Sequence, residues 1–364
     1  MTEVPRVRNI RARPVLAPFK RPPMSASGGI PTAPLVVVDL ETDQGITGRS
    51  YVFGYATWSL KPIVQCLEAM SDMIKGDPVA PFEIEAKLRK RLLLLGSPGL
   101  VGIALAGVDM CAWDAFAQAQ QLPLVKALGG ETRPARAYNS CGLWIQPVEK
   151  LADEAELLLA EGGFSAVKLR IGRDDPAQDL AAARSVRKRI GDKIALMSDF
   201  NQRLTVNEAI LRGRMLDNEG LYWLEEPVRH DDYAGCARVC AELQTPIQSG
   251  ENLLNTYEMN EAIVSESLDY VMPDVQRIGG VTGWLRAAAL AHVHGIEMSS
   301  HLFPEYSSHL LAVTPTCHWL EYVDWANPIL AEPVQVKDGH VLIPDKPGVG
   351  ISWNEEAVKR YAVG

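Results

Sequence analysis

The spacing of apolar positions changes twice along the 364-residue chain, and each change marks a different kind of structure. Residues 4–16 alternate well enough to predict a strand. Residues 17–33 are rich in Pro, Gly and Ser and read as a loop. In LVVVDLETDQGITGRSYVFGY, two β-rich runs flank Asp43-Gln44-Gly45, a hairpin with glycine at its turn. Apolar residues then recur every third or fourth position over 59–75 and 82–95, and 99–120 reads as one long, Ala-rich helix. Strands followed by helices make this first part α+β.

After Gly129-Gly130 the pattern becomes short apolar runs separated by helices, expected at 149–161, 176–190, 205–219, 255–266 and 280–294. From about residue 327 it is β-like again, with a hairpin around Asp338-Gly339. The expected division is therefore 1–130, 131–326, and a segment 327–364 that returns to the first part.

A polar residue stands at the end of each apolar run in the middle part. Lys168 and Arg170 close FSAVKLR, and Asp199 lies in IALMSDFNQ. Glu225 and Glu226 end LYWLEEP, and Glu251 follows TPIQSG. Asp274 ends LDYVMPD, His301 follows IEMSS, and Glu321 closes CHWLE. One βα unit needs about 20–35 residues, which matches these intervals. The strand ends of such a barrel open on one face, where active sites sit.

Composition narrows the class. A net charge of −9 carries no nucleic-acid footprint. The six cysteines are scattered, so no disulfide framework is expected, and Cys236 and Cys240 share a helix face. The N-terminal MTEVPRVRNIRARPV has no apolar signal core, and no run reaches about 18 apolar residues. A cytoplasmic protein with a small-molecule partner, and no nucleic acid or membrane, is the expectation.

Asp199, Glu225 and Glu251 stand on successive strand ends, where three anions repel unless a cation joins them. Oxygen ligands suit Mg2+. Any one of the three could be a helix cap or a surface pair; three in register are harder to explain that way. Lys168 can neutralise a substrate carboxylate or enolate, or act as a Schiff-base lysine, although neighbouring carboxylates would keep it charged. Arg170, two residues on, faces the same side but is a poor base. Asp274 can fix the tautomer of His301 and make it a general base. Glu321 can donate a proton if burial raises its pKa.

TAPLVVVDL, GVDMCAWDA, PLVKALG, VKLRIG, SDFNQ, WLEEP, GEN, MPD with IGGVTGW, MSSHLF and TPTCHWLE together resemble the enolase superfamily, and within it the mandelate racemase subgroup. The resemblance covers almost the whole chain. It implies a modified (β/α)7β TIM-type barrel under an N-terminal α+β capping domain. It implies Mg2+ on Asp199, Glu225 and Glu251, with Lys168 neutralising the substrate carboxylate. It also implies a His301–Asp274 dyad and Glu321 as an acid hydrogen-bonded to that carboxylate. Ser140 and Asn201 match positions near the substrate. The loop Phe19–Pro31, with Met24 and Ile30, is expected to cover the site, and Tyr55 and Trp144 to wall it. Oligomers are usual in the family, so a homo-oligomer is expected.

Two positions depart from the subgroup's racemases. Arg170 stands where they carry a second lysine, and Cys141 where they carry a histidine. Without a second base, the expected reaction is Mg-dependent removal of the α-proton of a 2-hydroxycarboxylate by His301, with dehydration of an acid sugar. The alternatives are a racemase or epimerase, a non-catalytic metal-binding barrel and, more weakly, a Schiff-base aldolase.

Overall fold

The computed structural model describes residues 4–363. Val7–Pro18, Thr32–Thr42 and Thr47–Phe53 form an antiparallel sheet with Thr32–Thr42 in the middle. The middle strand is buried along nearly its whole length, which explains its unbroken apolar run. Leu100–Ala119 packs on this sheet. It is long and apolar enough to cross a membrane, yet most of it is buried inside the protein. Gly48 permits the close approach, because a Cβ there would stand 2.0 Å from the Cys111 carbonyl oxygen.

Two local expectations shift. The helix predicted over 82–95 spans Pro81–Arg91, and the chain turns before Gly96 and Pro98, leaving Leu93–Leu95 exposed. The loop over 17–33 contains a small ribbon in which Met24–Ser25 pairs with Gly28–Gly29.

The barrel strands are Ala135–Asn139, Ala166–Arg170, Ala195–Asp199, Leu221–Glu225, Ile247–Ser249 and Tyr270–Val271, all parallel. Single bridges at Met298 and His301 stand in the seventh position. Leu320–Tyr322 is the eighth strand and closes the ring by pairing with Ala135–Asn139. Seven helices connect them: Val148–Ala160, Pro176–Ile190, Val206–Leu216, Tyr233–Glu242, Thr256–Val264, Gly280–His294 and Pro304–Leu311. This is a (β/α)7β barrel beneath an α+β cap.

Side-chain alternation sorts each strand between two environments. Ala166, Met197, Trp223, Tyr138 and Trp319 fill the interior. Val167, Leu169, Leu196 and Leu224 face the surrounding helices. Both faces are buried, so the strands read as continuous apolar runs. The polar residues come one step beyond the filled interior.

Cap and barrel are joined by buried polar contacts. Tyr51 donates to Glu305 (2.7 Å) and the Trp113 indole to Thr282 (2.9 Å). The C-terminal hairpin, Val336–Lys337 with His340–Val341, pairs with the first barrel strand through Val341 and Ala135. Its turn uses Asp338 and Gly339, both at positive φ. Beyond it, Trp353 donates to Asp39 of the cap (2.7 Å), and Arg13 bonds Glu355.

Candidate active site

A cavity of about 350 Å3 opens at the strand ends, under the cap. Lys168, Arg170, Asp199, Glu251, His301 and Glu321 line its barrel side. The 2-residue period of Ala166–Arg170 puts both Lys168 and Arg170 inside, and both are buried. Lys168 is the hub: its ammonium lies 2.6 Å from Glu225, 2.7 Å from Glu321 and 3.6 Å from Asp199. Burial works against the charge, but Glu225 and Glu321 outweigh it and raise the lysine pKa. A protonated Lys168 does not suit Schiff-base chemistry.

His301 and Asp274 meet as the strand ends predict. Nδ1 of His301 lies 2.7 Å from Asp274 Oδ2, leaving Nε2 toward Glu251 (3.3 Å) and Glu321 (3.8 Å). Burial lowers the imidazole pKa; the charge of Glu251 and the bond to Asp274 more than reverse this, to about 10. The second and seventh strands are three steps apart one way round the ring and five the other. Arg170 and His301 therefore face each other across the mouth.

The neighbours of Glu321 favour its ionised form. Burial pushes its pKa up, but Lys168, His301 and Arg170 hold it well below the carboxylate range. It accepts hydrogen bonds from Ser140 Oγ (2.8 Å) and Leu302 N–H (3.0 Å). Ser140 also accepts from Arg170 (3.1 Å), so it braces these two residues from below and does not line the cavity.

Asp199, Glu225 and Glu251 are brought to one region, but Asp199 and Glu225 turn to Lys168 and Glu251 to His301. Among the described residues no three His, Cys, Asp or Glu side chains are grouped to hold a metal ion as they stand. The donor chemistry nevertheless fits Mg2+, with only carboxylate oxygens on three successive strand ends. Burial and the charges of Asp199, Glu321 and Glu251 push Glu225 up to about 8, against Lys168. Glu251 is raised too, by burial first. A divalent cation would relieve this repulsion and offset the Glu251 field on His301. Glu226 diverges from Glu225 because its backbone is left-handed (φ 39°), and it accepts from Asn252 (2.8 Å) and Gln202 (3.0 Å).

Asn201 reaches the cavity. Its amide nitrogen donates to Asp199 (2.9 Å), and its Oδ1 is buried without a partner. Arg170 Nε and Nη1 likewise make no hydrogen bond, Nε standing 3.5 Å from Asp199 Oδ2 as an ion pair, and the guanidinium lies 4.6 Å from the Trp144 ring centre. These atoms call for a polar ligand.

Ile30, Tyr55 and Trp144 also line the cavity, Trp144 beside Arg170. Met24 does not: its side chain lies over Gly29 and is 48% exposed. Cys141 is buried outside the lining. Sequence reasoning missed Phe53, Leu302 and Trp325 in the wall. Phe53 was reachable, since it lies two residues before Tyr55; Trp325 carries no local signal.

Two family models match the chain. "Mandelate racemase / muconate lactonizing enzyme, N-terminal domain" covers 8–129, and "Enolase C-terminal domain-like" covers 150–357. An enolase from the alpha-proteobacterium BAL199, solved with bound Mg, is 46% identical with a TM-score of 0.97, covering 99% of this chain and 100% of that one. A Bradyrhizobium enolase complexed with magnesium and mandelic acid is 42% identical with a TM-score of 0.95, and both chains are fully covered. L-talarate/galactarate dehydratase of Salmonella typhimurium is 30% identical over 324 residues, 89% of this chain and 81% of that protein. Matched in both its cap and its barrel, the chain belongs to the mandelate racemase/muconate lactonizing enzyme family of the enolase superfamily, and it is an enzyme.

Proposed function

We propose that this enzyme removes the α-proton of a 2-hydroxycarboxylate and completes a dehydration with the same histidine. The observation that carries this reading is the His301–Asp274 pair facing Arg170 across the cavity. One wall holds an imidazole that can take and return a proton. The other holds a guanidinium, which stays charged and serves poorly as a base.

Asp199, Glu225 and Glu251 would hold Mg2+, whose charge there would stabilise the anion formed when the proton leaves. Lys168 and Arg170 place two more positive charges beside the substrate carboxylate. Nε2 of His301 takes the α-proton, and the Asp274 carboxylate steadies the resulting imidazolium. The electron pair of the C–H bond moves to the enolate. When it returns, the β-carbon–oxygen bond breaks, His301 gives its proton to the departing hydroxyl, and water leaves. The enol product tautomerises to a 2-keto acid. The Asp274 carboxylate that steadies the imidazolium holds it in place for this second role as acid.

Racemisation or epimerisation is the second reading. The Bradyrhizobium relative was solved with mandelic acid, which has no β-hydroxyl to lose. The aromatic wall of Phe53, Tyr55, Trp144 and Trp325 is compatible with such an acid. The dehydratase relative supports the first reading. A non-catalytic barrel is disfavoured by the intact dyad. Three consecutive exposed leucines, Leu93–Leu95, offer apolar surface for the expected homo-oligomer.

The deciding experiment follows exchange of the α-proton in deuterium oxide by NMR, using both C2 configurations of acid sugars and of mandelate with Mg2+. The expected result is exchange of one configuration, loss of water from acid sugars, and no exchange in His301→Asn. Similar exchange of both configurations would mean that Arg170 or another group is a second base, and dehydration would give way to racemisation.

A further inference from the structure

Resting on the reading of this cavity as a hydroxy-acid site, we infer that Gln276 and Arg277 are positioning residues that hold the aromatic wall in register with the histidine base. They stand two and three residues after Asp274. The two oxygens of that carboxylate divide their work. Oδ2 faces His301 (2.7 Å), while Oδ1 accepts the backbone N–H groups of Gln276 (2.7 Å) and Arg277 (3.2 Å). The loop that orients the base is therefore itself tied to the dyad.

The side chains of that loop grip the cap. Gln276 is fully buried, and its amide reads both backbone groups of Phe53: Oε1 accepts the N–H (2.8 Å) and Nε2 donates to the carbonyl (3.3 Å). Arg277 Nε donates to the Tyr55 hydroxyl (3.1 Å), and its guanidinium lies 4.4 Å from the ring centre. Tyr55 has φ 60°, a conformation that a bulky residue keeps only under outside constraint. Phe53 and Tyr55 contact each other edge to face, and both line the cavity.

The bland reading is that these bonds merely dock cap on barrel. That role is already filled by Tyr51–Glu305 and Trp113–Thr282, none of which lines the cavity. Bonds at Phe53 and Tyr55 act on the cavity wall itself. A guanidinium also satisfies the phenol oxygen as acceptor, so the Tyr55 proton remains available to a substrate oxygen.

The test uses the full-length protein with Arg277→Met, Tyr55→Phe and the double variant. Hydrogen exchange read by mass spectrometry needs no ligand. Protection over residues 53–57 should fall about tenfold in Arg277→Met, with barrel-strand peptides unchanged. Unchanged protection there, or loss spread over the whole molecule, would overturn the inference. Binding of mandelate with Mg2+, followed by fluorescence of Trp144 and Trp325, supplies the second readout. Each single variant should weaken binding about tenfold, and the double variant no further than the worse single. Multiplying losses would show that Arg277 does not act through Tyr55. Wild-type protein that binds neither mandelate nor galactarate would count against the hydroxy-acid reading, while the exchange result still decides the clamp.

Discussion

The two ends of the barrel treat the same side chain in opposite ways. His301 at the mouth and His318 at the base come from neighbouring strands. At the mouth, Glu251 and Asp274 overcome burial and raise His301 to about 10. At the base, burial and the nearby Arg136 lower His318 to about 4. His318 sits among Tyr222, Trp223, Tyr270 and Trp319, with Tyr222 Oη and Ser299 Oγ on its two nitrogens (2.9 and 3.2 Å). Carboxylate charge outweighs burial where chemistry happens, and burial prevails where packing supports it.

The largest expected effect tests that division directly. His301→Asn should lower turnover by about 10²–10⁴-fold, the usual worth of a positioned general base. His318→Gln should leave kcat/KM near wild type and lower the melting temperature. Steady-state kinetics and thermal unfolding check both, and a catalytic collapse in His318→Gln would break the comparison.

Next come the carboxylates. Chelation of divalent cations should remove turnover, and Glu251→Gln should abolish Mg2+ binding by calorimetry. In the metal-free protein, removing Glu251 also removes a charge that raises His301. Its pKa, followed by NMR, should then fall below that of the wild type. An unchanged value would mean that Asp274 and Glu321 set it.

Acid stability sharpens the contrast from the other end. An unfolded histidine titrates near its ordinary value of about 6.5, whereas folded His318 takes a proton only near 4. Between these values the unfolded chain binds a proton that the folded one does not. The contribution is whole above pH 6.5 and disappears as pH falls toward 4, by roughly 3 kcal/mol. His309, buried with the Val125 N–H on Nδ1, has the same sign of shift. Denaturant unfolding from pH 7 to 4 should show a shallower loss in His318→Gln than in wild type. Parallel curves would place the shift elsewhere.

The mouth was more legible in the sequence than the base. Each ionic residue there ends an apolar run, so spacing alone located Lys168, Asp199, Glu225, Glu251, Asp274, His301 and Glu321. Their charge states were not legible, because Glu321 is held ionised by three cations contributed by two other strands. The helix Pro304–Leu311 was missed because its proline, at the first turn, reads as a breaker until the helix is seen. The seventh strand position escaped regular pairing, and only isolated bridges mark it. Cavity walls built from the cap, such as Phe53, depend on docking that no local pattern records.

The smallest effect lies within the mouth's own cover. Met24 and Ile30 occupy one loop, but only Ile30 reaches the cavity. Met24 packs over Gly29, where a Cβ would meet its terminal methyl at 2.8 Å. Its backbone carbonyl accepts the Ile145 N–H (2.8 Å), so the loop is anchored there whatever the side chain. Ile30→Ala should widen the wall beside Phe53 and Tyr55 and change relative kcat/KM among substrates by about 10-fold, the scale of a few methyl groups. Met24→Ala should leave that ranking unchanged. Equal shifts in both variants would mean that the loop selects substrates by its mobility rather than by the one side chain that faces them.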